Sequence, residues 1–361
     1  MSASAVAWIL FISLIVFLML NVPVGFAIGL SAFVAILAGG TQSVGYLSQT
    51  MVAGCDSFPI LAVPLFILAG ELMGNGGVSK RILNVCNAFF GRFYGGLAIC
   101  TVVFCMFFAA VSGSGPATVA AVGGMVVPTM LKNGYSKPFT LALIACAGGI
   151  GVIIPPSIPM VFYGTTTGAS IGEMFMAGFM PGILIGLFMM AYAVIFCVTK
   201  GEDKQRIRAK MSELRGNGFL KLFADSFFAL LCPIIVLGGI YSGIVTPTEA
   251  ACVSVFYALF VSLVVYRSIS LKDLIPFLAS SVKTYGGLAF VLAFATAFGR
   301  VLSLTRATKV IEDFIVGNFT TSWSVLSVLV ILFLILGMVM DTGPAIVILA
   351  PILLPAVQAL G

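Results

Sequence analysis

The chain has 361 residues, of which 61% are hydrophobic and 8% charged, and its mean hydropathy is +1.20. Soluble domains are about one-quarter charged, so this composition indicates an integral membrane protein. The chain has no histidine and no G-x-x-x-x-G-K-[ST] loop, which excludes a Ser-His-Asp triad and a P-loop for ATP. Its net charge of +6 needs no partner beyond anionic lipid, and we expect no nucleic-acid binding.

Apolar stretches recur along the chain, and each approaches the roughly 20 residues that a helix needs to cross a bilayer. The N-terminus has no basic residue before its apolar run, so we interpret that run as the first span and not as a cleaved signal. Because helices satisfy their backbone internally, an all-α polytopic membrane protein is predicted. The predicted spans are 5–20, 22–38, 58–73, 93–111, 139–154, 174–199, 227–244, 250–267, 284–299 and 323–340.

The first interruption of the apolar sequence is the run from Ser112 through Gly113 and Ser114 to Gly115-Pro116. A proline inside a helix costs about 3 kcal/mol or more, and unsatisfied backbone groups in lipid add to that cost. The flanking runs are too short for two full spans, so the sequence predicts a re-entrant helical hairpin with its tip at 112–118. Carbonyls and hydroxyls at such a tip suit Na⁺, and the amides of the second arm suit a carboxylate.

The second interruption is predicted to be a broken helix over 147–159. Pro155 and Pro156 cannot continue a helix, and Ser157 is expected to be exposed on the unwound part. A proline kink facing lipid is the alternative. Two interruptions in succession favour carbonyls gathered around one ion. The glycines that would let other backbone approach closely are Gly148, Gly149 and Gly151.

A basic stretch divides the hydrophobic sequence roughly in half. Residues 200–221 carry seven Lys or Arg against three acids, so we predict a cytoplasmic connector over 200–226. Beyond it, "TPTEA" at 246–250 has the pattern of a capping box that starts a helix. Arg300 falls near the end of a predicted span, where its side chain would reach the interface.

The second half resembles the first at one point. Gly343-Pro344-Ala345 can be laid over Gly115-Pro116-Ala117, with apolar runs on both sides, which predicts a second hairpin with its tip at 340–345. Coincidence is the alternative, since Gly-Pro is common in membrane proteins. Asp341 at this tip is expensive in lipid unless a cation accompanies it, and its other interpretation is a helix N-cap. A repeat of this kind is typical of secondary transporters with inverted halves.

Six stretches together resemble one known family: the large membrane subunit of tripartite ATP-independent periplasmic (TRAP) transporters, DctM-like or SiaM-like. They are "SFPILAVPLFILAGELMGNGGVSKRI", "MFFAAVSGSGPATVAAVGGMVVPTM", "GGIGVIIPPSIPMVFYG", "SIGEMFMAGFMPG", "GIVTPTEAACVSVFYALF" and "GMVMDTGPAIVILAPILLPAV".

The resemblance implies one transmembrane unit over 1–361, an inverted-repeat elevator fold similar to the divalent-anion/sodium symporters. The first repeat would cover about 44–199 and the second about 270–361. The implied function is Na⁺-coupled import of an organic acid across the bacterial inner membrane. The chain would be a multi-pass protein of that membrane and would not be an enzyme. Sialic acid is favoured; dicarboxylates, keto-acids and sugar acids are the alternatives.

The resemblance also implies partners and sites. A periplasmic substrate-binding protein (DctP/SiaP-like) would deliver the acid, and a small membrane subunit (DctQ/SiaQ-like) would pack on this chain. Ser112 and Ser157, with Pro156, would meet the substrate. The residues implied at the two sodium sites are Ser112, Gly113, Ser114, Gly149, Gly151 and Pro155 for the first, and Asp341, Thr342 and Gly343 for the second.

One departure concerns the second repeat. Members of the family continue past the second hairpin into another broken helix, whereas this sequence stops at "LLPAVQALG". We therefore expect that the second repeat is truncated before its broken helix. Two other classes of function fit less well. An ion channel would form its breaks into rings of symmetric subunits, and an intramembrane aspartyl protease would need a second deep acid to face Asp341.

Overall fold

The computed structural model describes residues 3–40, 42–91, 93–200, 219–305, 321–338 and 340–358. The described chain is helical and has no β-strand within those ranges, which confirms the predicted all-α class. We number the helices in chain order: α1 Ala3–Met19, α2 Val24–Gly39, α3 Val44–Cys55, α4 Ala62–Asn75, α5 Val78–Phe90, α6 Gly96–Ser112, α7 Gly115–Lys132, α8 Lys137–Gly149, α9 Ile158–Thr167, α10 Ile171–Lys200, α11 Phe219–Tyr241, α12 Pro247–Phe260, α13 Leu274–Leu304, α14 Ser322–Gly337 and α15 Thr342–Gln358.

Within the described ranges, five helical stretches are long and apolar enough to cross a membrane. These are Phe58–Asn75, Ile171–Lys200, Phe223–Tyr241, Pro247–Val265 and Leu271–Leu304. Shorter apolar helices, of 10 to 17 residues, account for most of the other predicted spans. A multi-pass membrane protein is therefore what both the composition and the helices indicate.

Two helices were not predicted from the sequence. Helix α5 buries Val78, Ile82 and Val85 on one face, while its other face carries polar side chains. Helix α3 buries only Leu47 along its length. A search for continuous apolar runs misses such helices, because only periodicity separates their buried face from the other one.

The described chain divides into two compact units. The smaller is made of Met1–Ile60, Val161–Ala169 and Lys283–Gly361, and the larger of Leu61–Met160 and Ser170–Val282. This division concerns packing and does not test the proposed internal repeat, so the boundaries 44–199 and 270–361 stay predictions. Most of the predicted basic connector, residues 201–218, lies outside the described residues.

In the larger unit, a row of glycines brings α10 against the elements that carry the two interruptions. A Cβ atom built at Gly178 would lie 2.7 Å from the carbonyl oxygen of Ile153, and one at Gly182 would lie 2.4 Å from Ile154 Cγ1. At Gly186 it would meet Met106 Sδ of α6 at 2.5 Å. Glycines four residues apart share one helix face, so this face lets α10 support both the hairpin and the broken helix.

In the smaller unit, the second half of α13 packs along the N-terminal helices. Gly29 of α2 leaves room for the ring of Phe294, and Gly54 of α3 leaves room for the side chain of Thr296. Phe298 makes an edge contact with Phe11 of α1, with their ring centroids 6.2 Å apart. These contacts pack α1 and α2 against one face of α13 and α3 against a different face, because Thr296 lies about 200° around the helix from Phe294.

The predicted capping box begins α12. The hydroxyl of Thr246 accepts a hydrogen bond from the Glu249 N–H at 3.3 Å, and the Glu249 carboxylate accepts one from the Thr246 N–H at 2.7 Å. Pro247 occupies the first turn, where its missing N–H is no loss. The structural role predicted for this motif is confirmed.

Candidate functional site

The run that begins at Ser112 reverses the chain between two helices. Helix α6 ends at Ser112, and Gly113 follows with φ +62°, donating its N–H to the Ala109 carbonyl at 3.0 Å. Ser114 is extended, and α7 begins at Gly115 with Pro116 in its first turn. Glycine adopts the left-handed conformation without the steric cost that a Cβ brings, and proline suits a first turn. Local sequence therefore accounts for the sharp reversal.

The second interruption separates α8 from α9. Helix α8 ends at Gly149, a single 3-10 turn covers Ile150–Val152, and α9 begins at Ile158. Ser157 is fully buried, and its hydroxyl donates to the Val152 carbonyl at 2.6 Å. The prediction that Ser157 is exposed was wrong. The reason is that a broken helix leaves carbonyls without partners, and this hydroxyl satisfies one of them.

The hairpin tip and the broken helix are in direct backbone contact. The Ile158 N–H donates to the Gly113 carbonyl at 3.1 Å. A Cβ built at Gly113 would lie 2.8 Å from the carbonyl oxygen of Pro156. One built at Gly151 would lie 3.1 Å from the carbonyl oxygen of Ser114. The separation at Gly113 is too short for a side chain, and the one at Gly151 is tighter than most Cβ contacts, so glycine favours the meeting of the two backbones here.

A buried hydroxyl network lies inside the tip. The hydroxyl oxygens of Ser112 and Thr118 are 3.0 Å apart, and both side chains are at least 97% buried. Thr118 Oγ1 also donates to the Ser114 carbonyl at 2.8 Å. A Cβ built at Gly151 would lie 2.8 Å from this Thr118 oxygen. Sequence reasoning missed Thr118. The signal that could have found it is a hydroxyl one helical turn beyond the break, on the side of α7 that faces the tip.

Replacing Thr118 by valine should destabilise the protein. Valine keeps the shape of the side chain but removes the hydrogen bonds to Ser112 and Ser114, which costs about 1–3 kcal/mol when the groups are buried. A thermal melt of the purified protein in detergent would measure the loss. Thr129→Val, which removes a single hydroxyl bond to Met125 within the same helix, is the control. An equal loss in both variants would contradict a special role for the network.

The other residues predicted at the first sodium site are not equally placed. Pro155 and Pro156 are buried in the break, and Gly151 lies against the tip. Gly149 is exposed, and a Cβ there would meet no atom within 4 Å. Its neighbour Gly148 makes the close approach to α7 instead. The structure thus brings Gly151 and Pro156 to the hairpin tip and leaves Gly149 turned away. The sodium-binding roles themselves stay predictions.

The residues of the second predicted sodium site belong to the smaller unit. Helix α14 ends at Gly337, and α15 begins at Thr342. Asp341 is exposed, and its Oδ1 accepts a hydrogen bond from the Thr342 N–H at 2.8 Å. Gly343 is buried, and a Cβ there would lie 3.5 Å from the Phe162 ring. The carboxylate thus accepts from the first N–H of α15, whereas an N-cap side chain accepts from the second or third, so the capping and cation-binding interpretations both stay open.

A helical hairpin held against an interrupted helix, in a bundle of apolar helices, is an arrangement typical of secondary transporters. Residues 11–361 match the family model described as the DctM component of the tripartite ATP-independent periplasmic transporter. The chain belongs to this family. It is therefore a large permease component of the TRAP class, which confirms the resemblance seen in the sequence.

Individual relatives agree with the family. The isethionate TRAP transporter permease protein DctMQ of Oleidesulfovibrio alaskensis is 41% identical over 345 residues, which cover 96% of this chain and 54% of that protein. The C4-dicarboxylate TRAP transporter large permease protein DctM of Pseudomonas aeruginosa is 39% identical over 336 residues, or 93% of this chain and 77% of the relative. The ectoine TRAP transporter large permease protein TeaC of Halomonas elongata is 38% identical over 327 residues, which cover 90% of this chain and 74% of that protein. The chain thus spans about half the length of the isethionate permease.

Proposed function

We propose that this chain is the part of a secondary transporter that carries a small organic acid across the bacterial inner membrane, coupled to Na⁺. The observation that supports it best is the contact between the hairpin tip and the broken helix. Helix ends, main-chain carbonyls and two hydroxyls meet there with no carboxylate nearby among the described residues of the tip. Neutral oxygen ligands of this kind suit a monovalent cation, while free amides at the start of α7 suit an anion.

Coupling to Na⁺ is proposed at two sites. At the first, the ligands would be carbonyls of the tip and of the break together with the Ser112 hydroxyl. At the second, Asp341 would contribute a charge, with Thr342 and Gly343 beside it. The same proposal includes movement of the site by an elevator mechanism. That part of the proposal rests on the family and on the pair of predicted hairpins.

The substrate is proposed to be an organic acid, because the relatives described above are named for isethionate, C4-dicarboxylates and ectoine. Sialic acid, which the sequence favoured, stays a prediction together with keto-acids and sugar acids. A periplasmic binding protein and a small membrane subunit are the proposed partners. The name DctMQ of the isethionate relative supports the second of these.

Uptake of the acid should require an inward Na⁺ gradient. The full-length protein, reconstituted with its small subunit in proteoliposomes and supplied with the loaded binding protein, should take up isethionate, succinate or sialic acid when Na⁺ is outside. Replacing Na⁺ by K⁺ at the same ionic strength should abolish uptake, because the proposed coupling is specific to Na⁺. Uptake that continues unchanged in K⁺ would contradict Na⁺ coupling. A conductance far above carrier turnover would indicate a channel instead.

A further inference from the structure

A small polar cavity lies within the smaller unit. Its volume is about 270 Å³, and it is lined from four segments: the end of α3 with the residues after it, the last turn of α9, the second half of α13, and α15. Thr165 lies seven residues after the start of α9, or about 10 Å along the helix. None of the residues predicted as sodium ligands lines the cavity, although its lining residue Val347 lies only four residues after Gly343 in α15.

Among the described residues that line the cavity, Arg300 is the only ionisable one, and it is exposed. Within the described residues, no carboxylate lies at salt-bridge distance from its guanidinium. Asp56 is a neighbour in the chain of the lining residue Ser57, but it is exposed and does not line the cavity. A cation with no opposing charge, in a concave polar site, raises the local concentration of anions.

The cavity also holds five hydroxyl groups, and one of them differs from the rest. Four donate to carbonyls of their own helices at 2.8–2.9 Å: Thr165, Thr166, Thr296 and Ser303. The Ser57 hydroxyl oxygen is buried and has no hydrogen-bond partner in the described structure. A buried polar group without a partner is unfavourable. Ser57 thus has a proton to donate, and the four others have lone pairs only.

The size of the cavity limits the ligand. Pockets for drug-sized molecules have volumes of about 300–1,000 Å³, so this cavity suits a smaller molecule. A planar guanidinium fork matches a carboxylate or a sulfonate with two parallel hydrogen bonds. The Ser57 hydroxyl has no partner in the described structure, and a rotation about its χ1 is needed before it can donate to the same anion, because its oxygen is covered.

We propose that this cavity binds the acidic group of a compact organic acid, of about two to four carbons, through Arg300 and Ser57. It is a second binding site, additional to the one at the helix interruptions. This inference rests on the proposed function, since it assumes that organic acids are what the chain encounters. It also favours small carboxylates and sulfonates over sialic acid.

Cysteine labelling tests the site without requiring transport. Ser57→Cys in a Cys55→Ser background places one thiol in the cavity of the full-length protein. The thiol would be modified with the anionic reagent 2-sulfonatoethyl methanethiosulfonate or with the cationic reagent 2-(trimethylammonio)ethyl methanethiosulfonate. Mass spectrometry of the peptide that contains the thiol would give each rate. Each rate would then be divided by the rate at which the same reagent modifies free 2-mercaptoethanol. We expect the anionic reagent to be favoured about 10-fold, in line with focusing by a cationic cleft. Isethionate or succinate should slow the reaction, and sialic acid should not.

Two further variants decide the outcome. Arg300→Gln should abolish the preference for the anionic reagent, whereas Lys272→Gln, which removes an exposed charge outside the cavity, should preserve it. Ser303→Cys reports on the same cavity if Ser57→Cys does not fold. Labelling by the cationic reagent that is equal to or faster than labelling by the anionic one would overturn the proposal. So would a preference for the anionic reagent that survives Arg300→Gln. Failure of both isethionate and succinate to slow the labelling would overturn it as well. Uptake that fails in wild-type proteoliposomes would instead contradict the proposed function.

Discussion

Replacing Gly113 by alanine should lower Na⁺-driven uptake by about 10-fold or more, because the hairpin tip can no longer rest against the broken helix and each 1.4 kcal/mol is a factor of ten. A left-handed residue with a Cβ also costs about 1–2 kcal/mol of stability. The added methyl would also lie 2.8 Å from the Pro156 carbonyl oxygen. Relief of that overlap must move the hairpin tip away from the broken helix. The measurement is the initial rate of uptake in proteoliposomes, at matched protein content.

The control for this prediction is Gly243→Ala, in the loop between α11 and α12. Gly243 has a similar φ of +71°, but a Cβ there would meet no atom within 4 Å. It therefore carries the same conformational cost without the contact. We expect thermal stability to fall in both variants and uptake to fall strongly only in Gly113→Ala. Equal loss of uptake would show that backbone strain, and not the contact between tip and break, determines activity.

Asp341→Asn should raise the Na⁺ concentration for half-maximal uptake by about 10-fold, since the loss of a carboxylate charge beside the cation need weaken binding by only about 1.4 kcal/mol to have that effect. The substitution separates the two interpretations of Asp341. Asparagine keeps the oxygen that accepts from the Thr342 N–H, and it is as good an N-cap as aspartate, but it has no charge. The Na⁺ dependence of uptake would be measured at constant ionic strength.

Asp341→Ala completes this experiment. If the carboxylate binds a cation, Asn and Ala variants should be impaired alike in their Na⁺ dependence. If it only caps α15, the Asn variant should behave as the wild type, and the Ala variant alone should lose stability. That second result would remove Asp341 from the proposed sodium site while leaving the hairpin site untouched.

Some features of the fold could be predicted because they depend on neighbours in the sequence. Apolar runs of near-span length mark most helices, and Thr246 with Glu249 marks the start of α12. The break at Ser112 to Pro116 is likewise a local property. Amphipathic α5 was missed because the buried and polar sides of a helix are interleaved in the sequence. The burial of Ser157 was also missed, since its partner, the Val152 carbonyl, is free only once the helix has stopped.

The sequence by itself determined the class of the protein, its helices and the two places where helices are interrupted. Those depend on backbone conformation and on the cost of exposing polar groups to lipid, which act over a few residues. Only the tertiary structure decided that Gly151, and not Gly149, faces the tip, that Thr118 joins Ser112, and that Arg300 and Ser57 share a cavity. Two of these pairings join residues far apart in the chain, and Thr118 reaches Ser112 across the turn between two helices. They are set by which helix faces pack together, and short-range preferences do not specify that.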